Sequence, residues 1–81
     1  MKLISYRKKL PQKYIGGNPV SLECKSVAEQ WVIWSRISDW CKEQNNNSVV
    51  VWDYKKFENT FYLWFEEKTL KTLFLLANEI A

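Results

Sequence analysis

The polar and apolar pattern is clearest from Ser48 to Glu66, SVVVWDYKKFENTFYLWFE, and predicts two β-strands joined by a tight turn. Val49 to Tyr54 and Thr60 to Phe65 are rich in β-branched and aromatic residues, which fit a pleated, half-buried surface. Lys55-Lys56-Phe57-Glu58-Asn59 lies between them, polar apart from Phe57, and supplies the turn. Side chains alternate faces along a strand, so Phe61, Leu63 and Phe65 share a wholly apolar face that must be core. Thr60, Tyr62, Trp64 and Glu66 point the other way, onto a face that tolerates water. In the first strand Val50, Trp52 and Tyr54 oppose Val49, Val51 and Asp53, and turn length decides which set joins Tyr62 and Trp64. A two- or four-residue turn sends Trp52 and Tyr54 over the core. A three-residue turn, Phe57-Glu58-Asn59, places them beside Tyr62 and Trp64 and is the expectation, because Asp53 then reaches solvent at the end of the core face.

Helical spacing replaces alternation between Ser26 and Glu43. Ser26-Val27-Ala28-Glu29 reads as a capping box, and Val27, Trp31, Trp34, Ile37 and Cys41 form the expected core stripe. Ile33 and Trp40 lie further round, which widens the apolar arc beyond what one sheet needs. Trp40 is therefore a contact candidate, with packing against a second helix as the favoured use. That second helix starts near Glu67-Lys68-Thr69, with Leu70, Leu73, Phe74 and Ala77 on one face and Ile80 frayed. Gln44 to Ser48 turns the chain into the hairpin. Met1 to Tyr6 predicts a further strand with Leu3 or Ile4 inward, and Val20-Ser21-Leu22-Glu23 predicts a short added one. Both glycines and both prolines fall between Leu10 and Val20, which marks a loop.

These elements predict one α+β domain over residues 1–81, a small antiparallel sheet with a central hairpin and two helices on one face. The order β-α-β-β-α is similar to a ferredoxin-like order lacking its last strand, and element order alone carries no function.

Composition changes this picture in two respects. Five Trp, four Tyr and four Phe are a heavy aromatic load for 81 residues, so either the core is built of large rings or some rings serve an interface. The net charge of +3 conceals an asymmetry: residues 1–25 hold six basic side chains against Glu23 alone, while the remainder is slightly acidic. Met1 to Tyr6 meets Arg7-Lys8-Lys9 without an apolar run behind it, and the run Leu73 to Ala77 is too short to span a bilayer. No membrane segment and a cytoplasmic location are expected, with Cys24 and Cys41 as reduced thiols.

No catalytic set emerges. The chain has no histidine, the commonest general base and metal ligand, and two cysteines alone cannot close a tetrahedral zinc site. The acidic residues are dispersed, and the adjacent pair Glu66-Glu67 points to opposite faces if extended. Gly16-Gly17 lacks the surroundings of a phosphate loop and reads as a turn. The expectation is a protein that is not an enzyme and uses no cofactor or metal.

Two binding readings remain. In the first, Trp52, Tyr54, Tyr62 and Trp64 form an aromatic sheet face that, with Trp40, anchors a partner protein. In the second, Arg7, Lys8, Lys9, Lys13 and Tyr14, with Lys55 and Lys56 at the hairpin tip, attract RNA or single-stranded nucleic acid whose bases stack on that face. Phe61-Tyr62-Leu63-Trp64-Phe65 lacks the basic-glycine lead of an RNA-recognition motif. Against both stands the ordinary reading, rings buried as core and lysines that only aid solubility. A small chain with surplus apolar surface also suits a homodimer.

The start Met1-Lys2-Leu3-Ile4-Ser5 and the ending from Phe61 to Phe74, an aromatic strand, an acidic turn and an apolar helix, resemble those of small phage-encoded accessory proteins. The resemblance covers about a quarter of the chain and has no diagnostic motif. It implies an inhibitor or adaptor that binds a host factor, such as a defence nuclease or toxin, in the host cytoplasm.

Overall fold

A computed structural model of the chain describes residues 1–6 and 18–78. Its elements are β1 (Lys2–Ser5), β2 (Val20–Glu23), α1 (Val27–Glu43), β3 (Val49–Lys55), β4 (Thr60–Phe65) and α2 (Lys68–Ala77). The strands form one sheet in the order β1-β3-β4-β2, with both helices packed on the same face. The fold is α+β, as expected, and the short strand at Val20 is present.

The sheet is mixed where an antiparallel one was expected. β1 runs parallel to β3, Lys2 beside Val49 and Ile4 beside Val51, while β4 is antiparallel to both β3 and β2. The chain between β1 and β3 includes β2 and α1, ample length for the crossover a parallel pair requires. β1 and β3 are direct neighbours, so no strand splits them as in a ferredoxin-like sheet.

The hairpin register also differs from expectation. Lys55 opposes Thr60, so the turn is the four residues Lys56 to Asn59. The Glu58 N–H donates to the Lys55 carbonyl at 3.1 Å and the Asn59 N–H to the Lys56 carbonyl at 3.3 Å. These consecutive bonds wind the turn tightly, and Asn59 at φ 51° reverses the chain, a left-handed conformation that asparagine tolerates. Trp52 and Tyr54 consequently share the helix side with Phe61, Leu63 and Phe65, while Asp53 joins Tyr62 and Trp64 on the helix-free side. The carboxylate is thereby kept off the apolar core, where an unpaired charge is costly.

Ser26 caps α1, its hydroxyl accepting the Glu29 N–H at 3.1 Å. The helix stripe is centred on Ile37, with Cys41 also buried and Ile33, Trp34 and Trp40 packed beside them. At 100° per residue Ile33, Cys41, Trp34 and Trp40 all lie within about 60° of Ile37 around the helix, whereas Val27 and Trp31 lie about 80° and about 120° away. Val27 and Trp31, both expected in the core stripe, are accordingly 72% and 67% exposed.

Phe61, Phe65 and Phe74 form the aromatic part of the core with Leu63, Val50 and Leu70. Trp40 stands edge-on to Phe74 at 5.1 Å and to Phe65 at 6.3 Å, and so joins α1 to α2 and to β4. On α2, Leu70 and Phe74 are buried but Leu73 faces outward; Ile80 lies outside the described residues. The Cys24 N–H donates to the Asn59 carbonyl at 2.7 Å, which ties the hairpin turn to the approach of α1.

Candidate functional site

The four-residue turn brings Trp52 and Tyr54 to the helix side of the sheet, beside the first half of α1. Gln30, Trp31 and Trp34 of α1, Trp52 and Tyr54 of β3, and Phe61 of β4 line the resulting groove, about 260 Å³ in volume. The rings interlock at its base. Trp34 lies 4.6 Å from Trp52 at 51° and 5.8 Å from Phe61 at 21°, and Tyr54 lies 4.7 Å from Phe61 at 50°. Trp31 forms the outer wall and stays largely in solvent. The Tyr54 hydroxyl donates to Asn59 Oδ1 at 3.4 Å, a long bond that holds the phenol toward the hairpin turn. Beyond β1, Trp52, Tyr54, Asp53 and Ser5 line an adjoining recess of about 220 Å³. Phe57, at the tip of the hairpin, is fully exposed.

The helix-free side of the sheet carries a second aromatic row. Tyr62 and Trp64 lie 6.2 Å apart and nearly parallel at 29°, and Tyr6 packs on Trp64 at 5.4 Å. Lys55 Nζ sits 5.2 Å from the Tyr62 ring centroid. The Tyr62 hydroxyl donates to Glu58 Oε2 at 2.9 Å, and this bond to a carboxylate raises the phenol's pKa, with desolvation and the charge of Glu58 adding to the effect. Val51, beside Ile4 and Trp64 in the register, is buried on this side. The charges here are mixed: Lys2 and Lys55 stand with Glu23 and Asp53.

The five residues expected to form one partner-binding face are thus divided three ways. Trp52 and Tyr54 belong to the groove, Tyr62 and Trp64 to the opposite side of the sheet, and Trp40 to the packing between helices. A single platform of Trp52, Tyr54, Tyr62 and Trp64 does not form, because an even-numbered turn reverses the faces. Lys55 lies over Tyr62 and Lys56 is exposed in the turn, while Arg7, Lys8, Lys9, Lys13 and Tyr14 lie outside the described residues. Trp31 and Gln30 were not anticipated. The signal for Trp31 was the excess width of the helical apolar arc, more than one sheet covers.

No family model, characterised protein or solved structure matches this chain.

Among the described residues no group of three or more His, Cys, Asp or Glu side chains is placed to hold a metal ion, and no helix is long and apolar enough to cross a membrane. Cys24 and Cys41 are free and buried. Burial pushes the Cys41 thiol up to about 11, with the N-terminal ammonium opposing more weakly. Burial also raises the Cys24 thiol, and the charges of Glu29 and Glu23 add to it. Neither thiol is poised as a nucleophile, since the thiolate is the reactive form.

Proposed function

We propose that this chain is a non-catalytic binding protein, an inhibitor or adaptor that docks on a host protein such as a defence or toxin factor. The observation that carries the reading is the groove: five aromatic side chains from three elements line it, and Trp31 remains 67% exposed on its rim. Rings held in solvent forfeit burial energy, and binding hot spots are enriched in Trp and Tyr seated in such recesses. Val27 on α1, exposed and lining the next recess with Gln30 and Tyr54, extends the apolar surface beside it.

A second reading, RNA or single-stranded nucleic acid on the helix-free side, is favoured by one feature. Tyr6, Trp64 and Tyr62 form a row of rings with Lys55 beside it, and Arg7, Lys8 and Lys9 follow Tyr6 in sequence. The acidic residues on that side weigh against it, because phosphates seek a basic surface.

Affinity capture from nuclease-treated host lysate with the wild-type protein, Trp31→Ala and Tyr62→Ala tests both. The expected result is a stoichiometric protein partner that Tyr62→Ala retains and Trp31→Ala loses, with affinity down by about 30-fold or more. Retention by Trp31→Ala and loss by Tyr62→Ala would move docking to the helix-free side. Recovery of RNA or DNA only from untreated lysate, with binding that falls steeply as salt rises, would establish the nucleic-acid reading.

A further inference from the structure

We propose that the open edge of β2 pairs with the same edge of a second copy of this chain, so that the two sheets become one continuous sheet; this is independent of the docking reading above. β2 is an outer strand, bonded to β4 on one side only. The Cys24 N–H donates to the Asn59 carbonyl at 2.7 Å, one step beyond the Glu23–Thr60 pair, and antiparallel bonding alternates along a ladder. Val20 and Leu22 therefore direct their backbone groups toward β4, and Ser21 and Glu23 direct theirs outward. The bond from the Glu66 N–H to the Val49 carbonyl fixes the same alternation from the other side of β4. The outward N–H and C=O groups of Ser21 and Glu23 have no hydrogen-bond partner among the described residues, and both residues are exposed. Such a row is a template for another strand. Lysine, proline and bulges are the usual devices that blunt an edge; Val20 to Glu23 contains none of them, and its register with β4 is unbroken.

The edge complements itself. Antiparallel pairing about a two-fold axis at Leu22 sets Ser21 opposite the second copy's Glu23, and the reverse. Each such pair exchanges both of its N–H···O bonds, so all the outward groups of both copies are satisfied. On the helix-free side each Glu23 carboxylate then lies across from a serine hydroxyl, a donor, and not across from another carboxylate. On the helix side the two Leu22 side chains meet at the axis, in the close kind of pair with Cα atoms about 4.5 Å apart. A recess of about 180 Å³ opens there between β2 and the helices, with Leu22, Ile33, Ile37 and Phe74 as its apolar lining. Leu22 is only half-buried in the single chain, and the second copy's Leu22 covers it at the mouth of this recess. Arg36 and Glu23 also line the recess, so each copy brings one charge of each sign to the joint. The match of hydroxyl to carboxylate on both sides of the axis belongs to this edge paired with itself, which favours a second copy over an unrelated strand.

A four-residue strand makes a short joint, so the association is expected to be weak, with Kd between about 10 µM and about 1 mM. Sedimentation equilibrium of the full chain over that range should show monomer and dimer. Ser21→Pro removes an outward N–H and no bond to β4, and proline is tolerated on an edge strand. It should keep the tryptophan emission spectrum and weaken the dimer by about tenfold or more. Amide exchange in ¹⁵N spectra gives a readout on the unaltered chain. Protection of the Ser21 and Glu23 amides should rise with protein concentration, whereas Leu22, bonded within the single chain, should be protected at every concentration. A monomer throughout the range, or a dimer whose Ser21 and Glu23 amides exchange as fast as in the monomer, overturns the proposal. Loss of the captured host protein by Ser21→Pro, from a chain that stays monomeric, overturns it as well and gives the edge to a strand of the host protein. Trp31→Ala should leave the dimer intact, so its loss of the host protein bears on docking alone. Loss of the dimer by Trp31→Ala would move the joint to the groove and overturn the assignment to β2.

Discussion

Cys41 shows how one residue couples burial to stability. It is 1% exposed, and its thiol is held up to about 11 against an ordinary value of 9.0. The folded state therefore binds the proton more tightly than the unfolded state. Its contribution is whole below pH 9.0 and is lost as pH rises toward 11, by about 2–3 kcal/mol at most. Urea unfolding midpoints should fall across that window in the wild-type protein, and the fall should be smaller in Cys41→Ala. Equal slopes in the two proteins would show that lysine and tyrosine ionisation accounts for the change. The aromatic residues divide by the same logic of burial. Phe61, Phe65 and Phe74 are buried, whereas none of the five tryptophans is. Indole and phenol groups carry a polar end that needs a partner or water, so they gather at the rim while these three phenylalanines fill the centre; Phe57 at the hairpin tip is the exception. The core thus takes only part of the aromatic load, and every tryptophan keeps some surface in solvent.

At the scale of elements the hairpin turn decides most. Val50, Trp52 and Tyr54 pair across to Phe65, Leu63 and Phe61 because four residues, not three, separate Lys55 from Thr60. The left-handed Asn59 is the hinge of that register, at φ 51°. Asn59→Gly should leave stability within about 0.5 kcal/mol of wild type, since glycine enters this region without a Cβ clash and the changes in chain entropy are small. Asn59→Val should cost about 1–2 kcal/mol, as a β-branched side chain opposes positive φ. Chemical denaturation of both variants checks the pair; a valine variant as stable as wild type would mean that the turn relaxes into another conformation. Both hairpin strands and both helices were legible in the sequence, because alternation and helical spacing are local signals. The register was not, because it depends on a turn geometry that the residue pattern leaves open among two, three and four residues.

At the scale of the molecule the two helices and the sheet are joined through a small number of large side chains. Trp40 of α1 meets Phe74 of α2 at 5.1 Å, and Phe74 meets Phe65 of β4 at 5.4 Å. Phe74→Ala should cost about 3–5 kcal/mol, because it empties a fully buried site shared by all three elements. For a domain of this size that is a large part of the whole, so far-ultraviolet dichroism should report a largely unfolded protein at 37 °C. A variant that melts near the wild-type temperature would show that α2 is not integral to the core.

Local pattern alone determined the α+β class, the strand at Val20–Glu23, the helix from Val27 to Glu43 and its Ser26 cap. Each of these rests on residues close together in the chain, where spacing and capping chemistry act directly. The tertiary structure alone decided that β1 pairs in parallel with β3, that Trp52 and Tyr54 lie under α1, and that Trp31 stands in solvent. Those outcomes depend on which surfaces meet across long separations in sequence. The groove exists for that reason: its walls come from α1, β3 and β4, and only packing brings them together.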